Sequence, residues 1–531
     1  MKKNQKAKIW HLRSALPNRL GFRIPLLPFA FCLLLFALFC LTAYGQTPAA
    51  SAPLDRKRAE TGLPFVTWFS PQEYHGSAQI WSFAQDDRGL LYVGTANGIL
   101  EYDGVSWRPI ATPRNAVVRA LAKGPDGRIF VSGTGDFGYL QPEQKTGEMK
   151  FVSLLDYVPK EERGFQEIWR IHVAPEGVYF QAREKLLRLT PEGQGWQVKV
   201  WKPKTSFTYS FYVFGTVYLS TSGVGLQRLT GDTIETLPWP GLGDQTGDSI
   251  ITVMLPYAEA GTGSPRQILI GNRSGQLSLM DDNGIRPFPT EAAPLLKSHQ
   301  PSRGVILGDG ALGLGTSTGG YLILERNGRL RRYLDRAAGI QSDGVVNAFT
   351  DRSGTLWLGL QNGLAKIEVT SPLTEFGRGV GITSSVQDIV RYRGDLYAAA
   401  TTGGVRRLDT ATGVFQPVPG YTYSLTFNLL THDEHLLAAA SRDGVIQITG
   451  NTVQPVPLDK TTNTSVFSLA RARQDANRVW LGTNDGLAAM RWDAAGRWVD
   501  EGWVAKTPQV RTIVEPEPGL MWLGTQSQGV V

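Results

Sequence analysis

The segment Ile80 to Gly104, IWSFAQDDRGLLYVGTANGILEYDG, returns with drift along the chain. It reappears as VNAFTDRSGTLWLGLQNGLAKIE (Val346 to Glu368), as VFSLARARQDANRVWLGTNDGLAAM (Val466 to Met490) and as VRTIVEPEPGLMWLGTQSQGVV (Val510 to Val531). Each copy has an apolar run, a turn containing Asp, Gly or both, a second run such as LYVG or LWLG, a glycine turn, and most go on to a third run. The runs are short, rich in Val, Ile, Leu, Tyr and Trp, and show no apolar stripe of helical period, so the unit reads as an antiparallel meander. A weaker fourth run such as SWRPI or MKFVSL completes it.

The glycine after the second run serves as an anchor: Gly98, Gly138, Gly225, Gly275, Gly319, Gly363, Gly404, Gly444, Gly486 and Gly529, with Lys185 in the slot of the third copy. Eleven copies follow one another at a mean spacing of about 43 residues, the period of four-stranded propeller blades. One such sheet cannot bury both faces alone, so the units are expected to pack radially around a channel. The expected fold is all-β, a seven-bladed β-propeller over 64–372 followed by an incomplete second β-propeller over 373–531. The strand Phe65 to Phe69 (FVTWF) is placed to pair into the last blade of the first ring and remove two open edges. The second region contains four blades, the last interrupted after its second strand, and the natural protein is expected to continue past Val531. A small closed ring of four blades is the alternative.

Composition agrees with many tight turns and aromatic packing, since 531 residues include 60 Gly, 17 Tyr, 22 Phe and 14 Trp. The formal charge of +7 comes from the N-terminus. Lys2, Lys3, Lys6, Lys8, Arg13, Arg19 and Arg23 meet no acid within residues 1–45, and without them 47 basic residues balance 47 acidic ones. The mature chain therefore gives no footing for nucleic acid. Those basic residues precede the uncharged run Ile24 to Tyr44 and the small residues Ala43 and Gly45, the order of an export signal. Residues 1–45 are expected to be a signal peptide or, given the length of the apolar run, an N-terminal anchor. Residues 46–63 read as a polar linker. Both cysteines, Cys32 and Cys40, lie in the apolar run, so the mature chain has no disulfide or thiolate chemistry.

Few residues suggest chemistry, and most have a plainer reading. Gly308, Gly310 and Gly313 spell a dinucleotide-binding pattern, but no helix follows them, and the segment falls into register as the first hairpin of blade six. His432 and His435 have a metal-like spacing without a third ligand; they fall at a hairpin turn, where such residues are usually solvated, and His75, His172 and His299 form no set with them. Asp351 is expected to cap its turn by accepting backbone N–H bonds. Arg326, Arg329, Arg331, Arg332 and Arg336 coincide with an outer strand, where charge keeps a sheet edge soluble. No metal site, cofactor or catalytic set is expected.

A ligand site is expected where the innermost strands reach the channel. Aligning Ile80-Trp81-Ser82-Phe83, Val118-Arg119-Ala120-Leu121, Ile168-Trp169-Arg170-Ile171 and Val346-Asn347-Ala348-Phe349 leaves the first and fourth positions apolar, the third mostly small as crowding between blades requires, and the second free to vary. Trp81, Arg119, Trp169 and Asn347 are thus the candidate ligand-binding residues, suited to a sugar-like or anionic ligand unless they plug the channel as core.

The pattern V-x-x-[IF]-x-x-D-x-x-G-x-[LI]-[WY]-[LIV]-G-T-x-x-G-[LI]-x-x-[YL]-[DE], matched best by Ile80 to Asp103 and Val346 to Glu368, resembles the two-component-regulator propeller repeat of bacterial periplasmic sensors. Pro64 to Ile110 also resembles the start of the sensor region in receptors with two seven-bladed propellers and a triple-tyrosine domain. The resemblance implies an exported, membrane-tethered sensor region that binds a small molecule or oligosaccharide. A membrane span, and an output such as a histidine kinase or nucleotide cyclase, would lie beyond Val531; an uncleaved leader is the other route to the membrane, and a homodimer is a further expectation. The alternatives are a secreted propeller enzyme (lyase, glycosidase or quinoprotein) and a scaffold for protein binding.

Overall fold

The computed structural model describes residues 60–531 except 241, 244, 260–264, 424 and 462–463. The expected leader at 1–45 and residues 46–59 of the expected linker lie outside the described residues. The described residues form eleven antiparallel sheets, ten of four strands and one of two. Blade one shows the pattern, with strands Ile80–Gln85, Leu91–Thr95, Gly98–Tyr102 and Trp107–Ile110 joined in order as a meander.

The first seven sheets form a closed ring. Their inner strands lie against one another in chain order, and the inner strand of blade seven, Val345–Thr350, returns to that of blade one. The glycine of the LYVG and LWLG runs explains how closely the blades approach. A Cβ on Gly94 would stand 2.5 Å from the carbonyl oxygen of Val118 in blade two, and one on Gly359 would stand 2.9 Å from that of Ile80. No side chain fits in either gap, so the glycine is set by the next blade rather than by a turn. Closure also runs through the outer strand of blade seven, which is Val66–Phe69 from the N-terminal side, paired with Leu364–Ile367 in the register Val66 to Ile367 and Phe69 to Leu364. That strand lies within the FVTWF run of the sequence.

The core lies between blades rather than within them. Leu307, Tyr321, Val345, Leu356 and Leu358 fill the space between blades six and seven, and Ile80, Phe83, Val93 and Trp357 fill the space at the closure. Burying each such side chain contributes about 1.5–3 kcal/mol. The turns are tied by their aspartates. Asp351 Oδ1 accepts the N–H of Ser353 at 2.9 Å and of Thr355 at 3.0 Å, while Oδ2 accepts Trp357 Nε1 at 2.8 Å. Asp86 does the same for Arg88 and Leu90 at 2.9 and 3.0 Å.

Blades eight to ten are four-stranded sheets within 386–506, and the strands Val510–Glu517 and Leu520–Thr525 follow them. Their inner strands stack in chain order as an arc. The residues before the ring also meet this arc. Leu63 and Glu375 exchange backbone hydrogen bonds of 2.8 Å, and the Glu60 carboxylate takes both Nη atoms of Arg391, at 2.8 and 2.9 Å. Among the described residues no helix is long and apolar enough to cross a membrane.

Candidate functional site

Most inner strands of the first ring carry a β-bulge near their start, as at Ile80/Ser82, Phe207/Tyr209, Pro301/Arg303 and Val345/Asn347. A bulge places two residues opposite one and re-aims side chains. In blades four and six both the second and the third residue of the inner strand line the channel, as they also do in blade three. Together they wall a cavity of about 330 Å³ on the axis of the ring, at the small end of the usual range for ligand pockets, roughly 300–1,000 Å³. Trp81, Arg119, Trp169, Thr208, Ser302 and Val346 come from the second position, and Arg170, Tyr209 and Arg303 from the third.

At the mouth the Arg119 guanidinium lies between two indoles, its carbon 4.2 Å from the Trp81 ring centre and 4.1 Å from that of Trp169. The two rings stand edge to face with centres 6.4 Å apart. Glu167 fixes the cation from the side in a fork, accepting Nε at 2.7 Å and Nη2 at 3.0 Å. The pair is largely shielded, with side-chain exposures of 15% for Arg119 and 23% for Glu167. Such an arrangement holds the aromatic faces in place and neutralises the arginine that holds them.

Asn347 is placed differently. Blade seven begins its inner strand at Val345, which pairs with Leu360 as Ile80 pairs with Thr95, so Val346 matches Trp81 and Asn347 matches Ser82. The sequence alignment was one residue out of register there, because either valine of the VVN run satisfies an apolar first position. Asn347 does not line the cavity wall. Its Nδ2 donates to the carbonyl oxygen of Trp81 at 2.6 Å, tying blade seven to blade one, and its Oδ1 accepts the N–H of Ala348.

Behind the mouth stand residues not anticipated from the sequence. Arg170 and Arg303 face each other's charge across the channel, and Arg183 and Arg273 come from the turns after the second strands of blades three and five. Among the described residues none of these four arginines has a carboxylate partner. Arg170 Nη1 donates to the Trp169 carbonyl at 2.7 Å and its guanidinium lies 5.2 Å from the Tyr209 ring centre. Arg303 Nε is buried without an acceptor. Burial first, and then the charge of Arg303, push the pKa of Arg170 well below the ordinary arginine value; burial also lowers that of Arg303. Deeper still, burial and these two cations hold His172 at a pKa of about 3, with its Nε2 on Ser210 Oγ at 2.8 Å.

The other candidates are structural. Gly308 and Gly310 form a hairpin turn and Gly313 lies in the strand Leu312–Thr316. His432, expected at a solvated turn, is instead fully buried, with Nε2 3.0 Å from the Ala476 carbonyl oxygen and its ring 4.9 Å from that of Trp498. His435 meets Thr449 Oγ1 at 2.8 Å, and no cluster of metal-ligating side chains occurs among the described residues. Arg331 pairs with Glu325 and Asp309, and Arg336 pairs with Asp343, as a solvated sheet edge would have them.

No family model and no curated protein matches the sequence. Among solved structures, the extracellular domain of the hybrid two-component system BT3049 from B. thetaiotaomicron superposes with a TM-score of 0.65 at 15% identity, over 88% of this chain and 65% of that domain. The chain thus spans about two thirds of that domain's length. The extracellular domain of the one-component system BT4673 from the same organism aligns at 14% identity and a TM-score of 0.43, over 87% of this chain and 71% of the other. The propeller architecture of this chain is the fold of an extracellular domain from a bacterial two-component system.

Proposed function

We propose that the chain is the extracytoplasmic, ligand-sensing region of a bacterial transmembrane receptor of the two-component type, and that the axial cavity of the first ring takes the ligand, a small molecule or oligosaccharide. The observation that carries this reading is the pair of indoles braced by the Arg119–Glu167 fork at the mouth of that cavity. Pre-set aromatic faces give contact area at little entropic cost, which suits a sugar ring or another flat body. The export-like leader and the likeness in fold to extracellular domains of bacterial sensors support the placement. Tethering to the membrane, through the leader or through sequence beyond Val531, and association as a homodimer belong to the same proposal.

A ligand seated there would touch Val346 on blade seven, whose outer strand Val66–Phe69 is continuous with Leu63 and Glu60, the residues that engage the second arc. Blade seven thus connects the cavity physically to the junction between the two regions, the route by which occupancy would be felt there.

The test is a thermal-shift screen of the mature chain against saccharides and small metabolites, repeated with Trp81→Ala/Trp169→Ala and with Trp81→Phe. A ligand that raises the Tm of the wild type and of Trp81→Phe but not of the double variant supports the reading. A ligand that stabilises all three equally binds elsewhere and refutes it.

A further inference from the structure

The third position of the inner strand has an ordinary use in this protein. Asn347 uses it to tie blade seven to blade one. In the arc, Asp388 Oδ2 accepts Asn428 Nδ2 at 2.6 Å and the Leu429 N–H at 2.8 Å, and Asn428 Oδ1 in turn accepts the Leu469 N–H at 2.8 Å. These side chains staple neighbouring blades. Arg170 and Arg303 occupy the same position, pairing with Gln181 and Gly315 as Asn347 pairs with Gly359, yet neither staples its blade through a carboxylate or amide. Their charges are turned into an enclosed channel beside those of Arg183 and Arg273.

Four cations without a carboxylate partner line about 330 Å³; Arg183 is exposed, but Arg170 and Arg303 are drawn out of water close to each other's charge, and this disfavours the empty cavity. A charge drawn out of water and left unpaired is destabilising, and the repulsion between like charges adds to it. The arrangement is favourable only when an anion brings negative charge into the cavity, and Glu167 does not supply it, since both its oxygens are engaged by Arg119. Guanidinium groups suit oxyanions, because their planar forks match carboxylate, sulfate and phosphate oxygens. The aromatic walls Trp81, Trp169 and Tyr209 add a requirement for a flat or sugar-like body, and the volume limits that body to one or two rings.

We infer, on the reading that this cavity is the ligand site, that its ligand is a compact organic anion of saccharide type carrying two or more carboxylate or sulfate groups. Arg170 and Arg303 take one oxyanion in the depth, Arg183 and Arg273 take another nearer the rim, and the body stacks on the indoles. A neutral sugar would leave the four cations uncompensated and would bind more weakly.

The test is isothermal titration of the mature chain with digalacturonate, with inorganic sulfate and with neutral lactose as probes, at low and at moderate NaCl. Wild type should bind digalacturonate saturably, at least tenfold more tightly than lactose, with affinity falling as salt rises. Arg303→Gln and Arg170→Gln should each weaken it at least tenfold, while Arg303→Lys should lose less. A structural role for these arginines is separated by the unliganded protein: Arg303→Gln should keep or raise the Tm, because it removes an unpaired charge, whereas a structural arginine would lower it. Sulfate alone binding as tightly as digalacturonate would overturn the saccharide body but leave the oxyanion site. Lactose binding as well as digalacturonate, dependent on Trp81 and insensitive to the arginine variants, would overturn the inference and leave the cavity as the ligand site. Failure of all three probes to bind would overturn the inference itself.

Discussion

The mouths of the ring and of the arc use the same inner-strand position with similar side chains and different outcomes. In the ring, Trp81, Arg119 and Trp169 form a braced stack with the cation neutralised by Glu167. In the arc the second positions hold Gln387, Phe427, Phe467 and Arg511, with the phenyl centres 4.7 Å apart and the Arg511 guanidinium 4.2 Å from that of Phe467. Arg511 is exposed and has no carboxylate partner among the described residues. One layer deeper the difference reverses: the ring carries uncompensated Arg170 and Arg303, where the arc carries Asp388, Asn428, Ser468 and Thr512. The repeat therefore does not dictate what faces the axis. It dictates only which strand positions approach the axis, and blades three and six carry charge at the position where blade seven keeps its staple.

The largest effect is expected in the pH dependence of stability. His172 titrates near its ordinary 6.5 in the unfolded chain and at about 3 in the ring, facing Arg170, Arg303 and Ser210. The unfolded state then binds the proton that the folded state refuses. Its contribution is fully present above pH 6.5 and falls as the pH drops toward 3, by up to about 1.4 kcal/mol per pH unit. Replacing His172 by Gln should flatten that part of the stability profile measured by urea unfolding. An unchanged slope would mean that neither burial nor the channel cations lower the pKa of His172.

Next in size are the stapling and bracing residues. Asp388→Ala should destabilise the arc by about 3 kcal/mol, since it removes a charged acceptor from two donors, and Arg119→Ala should cost the ring a similar amount by leaving Glu167 unpaired. Asn347→Ala loses one neutral staple and should cost about 1 kcal/mol. Arg303→Gln, at the same strand position, should cost nothing or stabilise; a loss as large as that of Asn347→Ala would show the arginine to be a staple after all. The smallest effect belongs to Arg511→Ala, about 0.5 kcal/mol, as expected for an exposed cation on an aromatic face.

Much of this was legible from the repeat. The blade period, the Asp-tied turns and the return of the FVTWF segment into blade seven follow from residues that recur for a backbone reason, such as Gly94 and Gly359 against the next blade. Trp81, Arg119 and Trp169 reach the cavity wall as their place in the repeat implies, because their flanking apolar residues fix the register. Asn347 was misplaced by one because Val345 and Val346 are interchangeable as anchors. Arg170 and Arg303 are illegible for a different reason: the third position reads as a small residue packed between blades, whereas in blades three and six it faces the axis beside the second, in blade six through a bulge. Blade six further hides its register behind Pro301 in the apolar first position. Arg183 and Arg273 lie in turns whose relation to the axis depends on the closed ring.

The central claim is that the first ring, not the arc, carries an anion-binding cavity on its axis. The most direct measurement is anomalous diffraction from crystals of the mature chain soaked in selenate. The account predicts the strongest selenium peak inside the ring, within hydrogen-bonding distance of Arg170 and Arg303. A peak at Arg511 with none in the ring would contradict it.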